Sequence, residues 1–232
     1  MGESKEVTNP MEPFLKLTKY GGNILEDATL FRYLVGSLFY LTITRPNISY
    51  SMGVVSQFMD KPCESHFIAA KRIMRYIKET LNFGLLYKQN LSFHLTGFVD
   101  ADWAGDVNDR RSTTGYCFNT RSTTISWCSK KPNIVSNSSC DAEYVVVTMY
   151  TQECIWHKRL IQEIFSILHY PVPIHCENES AIKLAGNPVF HARTKHTETH
   201  HHFVREKVLT QDIQLKKIRN RKSSCRYIHQ GT

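Results

Sequence analysis

The patterning of this chain changes near residue 90, and that change bounds what it can fold into. After it come LSFHLTGFV, GYCFN and TTISWCS, three short β-rich runs separated by turn residues. A long helical pattern follows from about Asp141 to Leu168, closed by Pro171 and Pro173. Next are a short strand candidate at IHC, a short helix near Ser180–Ala185, a helix near Thr194–Leu209 and a strand near Ile213–Ile218. Three strands, then helices alternating with strands, predict an α/β domain built on a mixed sheet.

Upstream of the change the spacing is helical. Residues 1–26 hold Pro10, Pro13 and the pair Gly21-Gly22, and read as an extended lead-in. LFRYLVGSLFYLTITRP is apolar on most sides and stops at Pro46. NISYSMGVVSQFMD keeps Ile48, Met52, Val55 and Met59 at helical spacing. A third helix is expected from Ser65 to Leu81, with an apolar stripe of Phe67, Ala70, Met74 and Ile77 beside a basic stripe of Lys71, Arg75 and Lys78. The expected units are therefore the lead-in (1–26), a helical segment (27–90), an α/β domain (91–218) and a basic tail (219–232).

The net charge of +8 suits a polyanionic partner, most often nucleic acid. Seven cysteines, an odd count with no CxxC spacing, argue for free thiols rather than a disulfide framework or a zinc site. The N-terminus has no apolar signal core, and no apolar stretch reaches spanning length. A soluble, intracellular chain, cytoplasmic or nuclear, is expected.

Four carboxylates stand where chemistry could use them. Asp100 sits at the end of the apolar strand FHLTGFV, and Asp102 follows two residues on. Glu143 lies near the start of the long helix, and Glu177 just after IHC. Acids at strand ends and a helix start can meet at one end of a sheet. Converging carboxylates repel unless a hard cation such as Mg²⁺ neutralises them. On composition alone, scattered surface acids are the simpler reading.

Several longer blocks carry a resemblance. GFVDADWAGDVNDRRSTTGYCF, ISWCSKKPNIVSNSSCDAEYV, HCENESAIKLAGNPVFHARTKH and HHFVREKV resemble consecutive blocks of the ribonuclease H domain of copia-type retrotransposon Pol polyproteins. FRYLVGSLFYLTITRPNISYSMGVVSQFM and HFIAAKRIMRYIKETLNFGLLY are similar to the segment joining reverse transcriptase to that domain. The resemblance implies a ribonuclease H-like mixed sheet with flanking helices, preceded by a small helical thumb or connection segment. It also implies a site in which four carboxylates hold two Mg²⁺ (or Mn²⁺) ions roughly 4 Å apart and cut the RNA strand of an RNA–DNA hybrid. Carried over, Asp100 matches the strand-one aspartate and Glu143 the helix glutamate. Asp102 is a second-tier candidate, equally readable as a turn or capping residue. Lys71, Arg75 and Lys78, with Arg110 and Arg111 of DRRST and Lys130 and Lys131 of SKK, are the implied contacts to nucleic acid.

The chain departs from the pattern twice. Glu177 stands in C-E-N-E-S-A-I where the family has C-D-N-x-S-A-I, which adds one methylene, about 1.5 Å of reach. The stretch KKIRNRKSSCRYIHQGT holds no acid, so the fourth carboxylate is missing. Lys216, Lys217, Arg219, Arg221, Lys222 and Arg226 make this stretch basic, and a disordered tail is expected. The polymerase block Y-x-D-D is also absent, so the resemblance implies no DNA synthesis by this chain. His196 and His200 have chelating spacing, but only adventitious zinc is expected there. The preferred reading is a retrotransposon-derived module that binds hybrid with impaired or lost cleavage. An active Mg²⁺-dependent ribonuclease H comes second, and a recruited fragment acting as an interaction protein or effector third.

Overall fold

A computed structural model describes residues 7–12, 15–19, 22–89, 93–102, 113–131, 139–165, 168–177, 179, 182–183 and 198–218, with backbone alone at 100–102, 139–145 and 198–201. Helices α1 (Thr29–Leu41), α2 (Ser49–Val55) and α3 (Glu64–Glu79) form the first unit. Single 3-10 turns flank α2 at Pro46–Ile48 and Ser56–Phe58. Phe31, Val35 and Leu38 of α1 meet Ile48, Met52 and Val55, and Ala70 and Ile73 of α3, in one apolar cluster.

The structure adds burial to the extended lead-in and corrects one expectation for α3. The lead-in is part of the core, because Met11 and Leu17 are buried in the same cluster. Its end is pinned by an antiparallel bridge between Ile24 and Cys63, with Leu25 N–H donating to Pro62 at 3.0 Å. The buried face of α3 is also rotated from the expected stripe. His66, Ala69, Ala70, Ile73 and Tyr76 are buried, while Phe67, Met74 and Ile77 are half-buried at its margin. His66 is what moves the face inward. Its Nδ1 accepts from Cys63 N–H at 2.9 Å and caps the helix, leaving Nε2 to donate to the Thr18 carbonyl at 3.2 Å. Burial lowers its pKa, against the hydrogen bond to Thr18, and its ring stacks on Phe58 at 3.9 Å.

The second unit is a five-stranded sheet in the order β3-β2-β1-β4-β5. Its strands are β1 (Thr96–Asp102), β2 (Thr113–Asn119), β3 (Thr124–Lys130), β4 (Val172–Cys176) and β5 (Ile213–Lys217). β1, β2 and β3 form an antiparallel meander. β4 and β5 add in parallel, each reached through a helix: α4 (Ser139–Phe165) and α5 (Glu198–Leu209). This is the α/β mixed sheet the sequence predicts, with each expected strand present, although β1 begins at Thr96 rather than in LSFHL and runs on through Asp102.

Val146, Val147, Tyr150 and Cys154 recur at helical spacing along α4 and pack with Val99, Phe118 and Ile174 of the sheet. Gly97 makes room for this layer, since a Cβ there would sit 2.9 Å from the Phe118 ring. Cys63, Cys128, Cys154 and Cys176 are free thiols. Cys117 is disulfide-bonded, which departs from the all-thiol expectation. The two units touch through α2 and β3. Trp127 Nε1 donates to the Thr42 carbonyl at 2.9 Å, and Gly53 faces the Ser129 carbonyl. No helix among the described residues is long and apolar enough to cross a membrane.

Candidate functional site

Strand register decides which acids share one end of the sheet. Val99 pairs with Cys176 across the parallel β1/β4 ladder, so the next positions are Asp100 on β1 and Glu177 just after β4. Adjacent strands lie about 4.8 Å apart. Glu177 follows β4 directly and is exposed. On the other side Asp100 pairs with Gly115, which pairs with Ser129. Asp102 closes β1 opposite Thr113, within the ladder rather than in a turn.

Topology brings Glu143 to the same end. β3 finishes at Lys130, whose ladder partner Thr114 pairs with Ala101. β4 starts at the opposite end, because it runs parallel to β1. Helix α4 must cross the sheet between them, so its first turns lie at the Asp100 end. Glu143 is one turn before Val146 and Val147, which anchor that part of the helix. The backbone thus gathers positions 100, 143 and 177 at one sheet end, with 102 just beyond. Among the described residues no group of three or more His, Cys, Asp or Glu could hold a metal ion, a set that lacks the side chains of Asp100 and Glu143.

Glu179, the second acid of C-E-N-E-S-A-I, is occupied otherwise. Lys217 of β5 donates to it at 2.7 Å and Lys183 lies at 3.2 Å. The Lys217 hydrogen bond, then that of Lys183, holds its carboxyl below the usual range. The sequence offered no sign of this, since Lys217 comes 38 residues later.

The basic residues divide. Lys130 is exposed at the acid end, and Lys131 Nζ reaches Gln57 Oε1 at 3.4 Å, tying β3 to the helical unit. Lys71, Arg75 and Lys78 belong to α3 in the other unit, with the Lys71 ammonium 4.0 Å over the Phe67 ring. Arg110 and Arg111 lie outside the described residues, as do His196, the expected short helix's ends and the tail from 219. Sequence reasoning missed Arg45 and Arg121. Both line a cavity between the units; Arg45 stands inside FRYLVGSLFYLTITRPNISYSMGVVSQFM, whose resemblance assigns it no role, and Arg121 stands between the matching blocks.

A mixed sheet of this order, crossed by one long helix and gathering acid positions beside its central strand, defines a ribonuclease H-like domain. No family model matches the chain. It is 45% identical over 205 residues to the retrovirus-related Pol polyprotein from transposon RE1 of Arabidopsis thaliana, covering 88% of this chain and 14% of that one. It is 37% identical over 227 residues to the Pol polyprotein from transposon TNT 1-94 of Nicotiana tabacum, covering 94% and 17%. It is also 44% identical over 123 residues to secreted RxLR effector protein 161 of Plasmopara viticola, covering 53% of this chain and 87% of that protein. The chain belongs to the copia-type retrotransposon Pol family. It spans 14% of the RE1 polyprotein and 17% of the TNT 1-94 polyprotein.

Proposed function

We propose that this chain is a ribonuclease H-like module that binds RNA–DNA hybrid at the Asp100 end of its sheet, with cleavage impaired or lost. The observation that carries the reading is the β1/β4 register, which puts Asp100 on β1 beside the position that follows β4, Glu177. Asp100, Glu143 and Glu177 are the residues that would hold Mg²⁺ or Mn²⁺. When bound, such an ion supplies Lewis-acid stabilisation and an activated water. Glu177 carries the impairment, because a carboxylate displaced by about 1.5 Å can cost ~10²-fold in rate. Lys130 and Lys131 flank the same end; Lys71, Arg75 and Lys78, with Arg110 and Arg111, are further candidate contacts to phosphates.

The test is a labelled hybrid incubated with Mg²⁺ or Mn²⁺. Hybrid binding that weakens steeply with salt is expected, with little cleavage in the native chain and more in Glu177→Asp. Efficient cleavage by the native chain, abolished in Asp100→Asn, overturns the impaired reading and establishes the active nuclease. Absent or salt-insensitive hybrid binding overturns both. A second reading draws on the likeness to effector protein 161, nearly all of which this chain matches. On that reading the fold serves as a protein-interaction module, and hybrid binding is not expected.

A further inference from the structure

A cavity of about 420 Å³ lies at the seam between the helical unit and the β2–β3 turn. Asn119, at its edge, pairs with Thr96 at the start of β1. Asp100 is four residues further along that strand, about 13 Å away. The cavity is thus at the other end of the sheet from the acids, and a ligand there is independent of hybrid binding at the Asp100 end.

We propose that this cavity is a nucleotide-binding site, taking a phosphate and an aromatic base. The first reason is charge. Arg45 and Arg121 line the cavity, and among the described residues no acid does. Arg45 is nine-tenths buried, yet among the described residues its bonds go only to neutral oxygens: the Thr80 carbonyl at 3.0 Å, Thr80 Oγ1 at 2.6 Å and Asn47 Oδ1 at 3.3 Å. Three of the five guanidinium N–H donors are used, and no carboxylate among the described residues pairs with it. A buried cation without a counter-ion is costly, and an anion in the cavity completes it.

The second reason is the arrangement of the other groups. Arg121 is exposed on a turn fixed by Thr120, whose Oγ1 accepts from the N–H groups of Ser122 and Thr123 at 3.3 and 3.2 Å. Asn119 Oδ1 is enclosed and has no hydrogen-bond partner among the described residues. Asn119 lines the cavity, and its unfilled acceptor suits a base amino group or a ribose hydroxyl. Phe83 and Leu86, 62% and 65% exposed, present apolar surface at the rim, and an exposed aromatic face is what a base stacks on.

Isothermal titration of the intact chain with adenosine 5′-monophosphate, inorganic phosphate and adenosine tests the assignment. Saturable binding of the monophosphate is expected, tighter than either fragment. Arg121→Ala weakens the monophosphate and phosphate alike, by roughly tenfold for one lost charge-assisted contact. Phe83→Ala weakens the monophosphate and leaves phosphate unchanged. Both side chains are exposed, so both variants keep the native circular dichroism spectrum. Asp100→Asn binds the monophosphate as the native chain does, which separates this site from the acid end. No saturable binding, or binding indifferent to both Arg121→Ala and Phe83→Ala, overturns the site. Phosphate binding as tightly as the monophosphate overturns the assignment to nucleotides.

Discussion

The ion pair between Lys158 and Asp212 fastens the β5 edge of the sheet to α4, and breaking it from its two sides should give unequal results. Lys158 Nζ donates to Asp212 Oδ1 at 3.1 Å and to the Asp212 carbonyl at 3.2 Å. The lysine side chain is only 10% exposed and the aspartate 33%. Asp212→Ala leaves the ammonium buried with one neutral acceptor, and a loss of about 2–3 kcal/mol is expected. Lys158→Met keeps the volume and removes the charge, so it should cost no more than about 1 kcal/mol. The pair also sets a pH dependence. Partial burial pushes the Asp212 carboxyl up, but hydrogen bonds from Lys158 and Thr210 and the Lys158 and Lys207 charges outweigh it and lower its pKa. A lowered folded pKa stabilises above the unfolded carboxylate pKa, and the gain disappears as pH falls through the folded value. Urea unfolding followed by circular dichroism should therefore show a gap between the native chain and Asp212→Ala at neutral pH that closes in acid. Equal losses for Asp212→Ala and Lys158→Met, or a gap that does not change with pH, refute the reasoning.

Two further predictions concern the scaffold. Gly97→Ala places a Cβ 2.9 Å from the fully buried Phe118 ring, and should destabilise the sheet by about 1–3 kcal/mol in the same unfolding assay. Gly36→Ala in α1, where a Cβ meets nothing within 4 Å, is its control and should stabilise by about 0.5–1 kcal/mol. Gln211 has φ 59° at the end of α5, the one left-handed non-glycine residue among those described. Gln211→Gly relieves that strain and should raise stability by up to about 1 kcal/mol, read as a shift in midpoint.

The sequence alone determined the order and kind of the elements, because alternation and helical spacing are local properties. It also determined the lineage, and where Asp100, Glu143 and Glu177 fall along their elements. What it left open depends on residues distant in sequence. The apolar stripe of α3 was misplaced because the lead-in supplies the Thr18 carbonyl that draws His66 into the core. Glu177 and Glu179 look alike in sequence, yet only the parallel placement of β5 puts Lys217 against Glu179 and leaves Glu177 beside the Asp100 strand. Arg45 stands in a block whose resemblance assigns it no role. Its burial comes from contacts to Thr80 and Asn47, the first 35 residues away, and the cavity it shares with Arg121 lies where the helical unit meets the β2–β3 turn. Local spacing writes the elements into the chain, but register and seam contacts are set by which surfaces can be buried together, and only the folded molecule decides those.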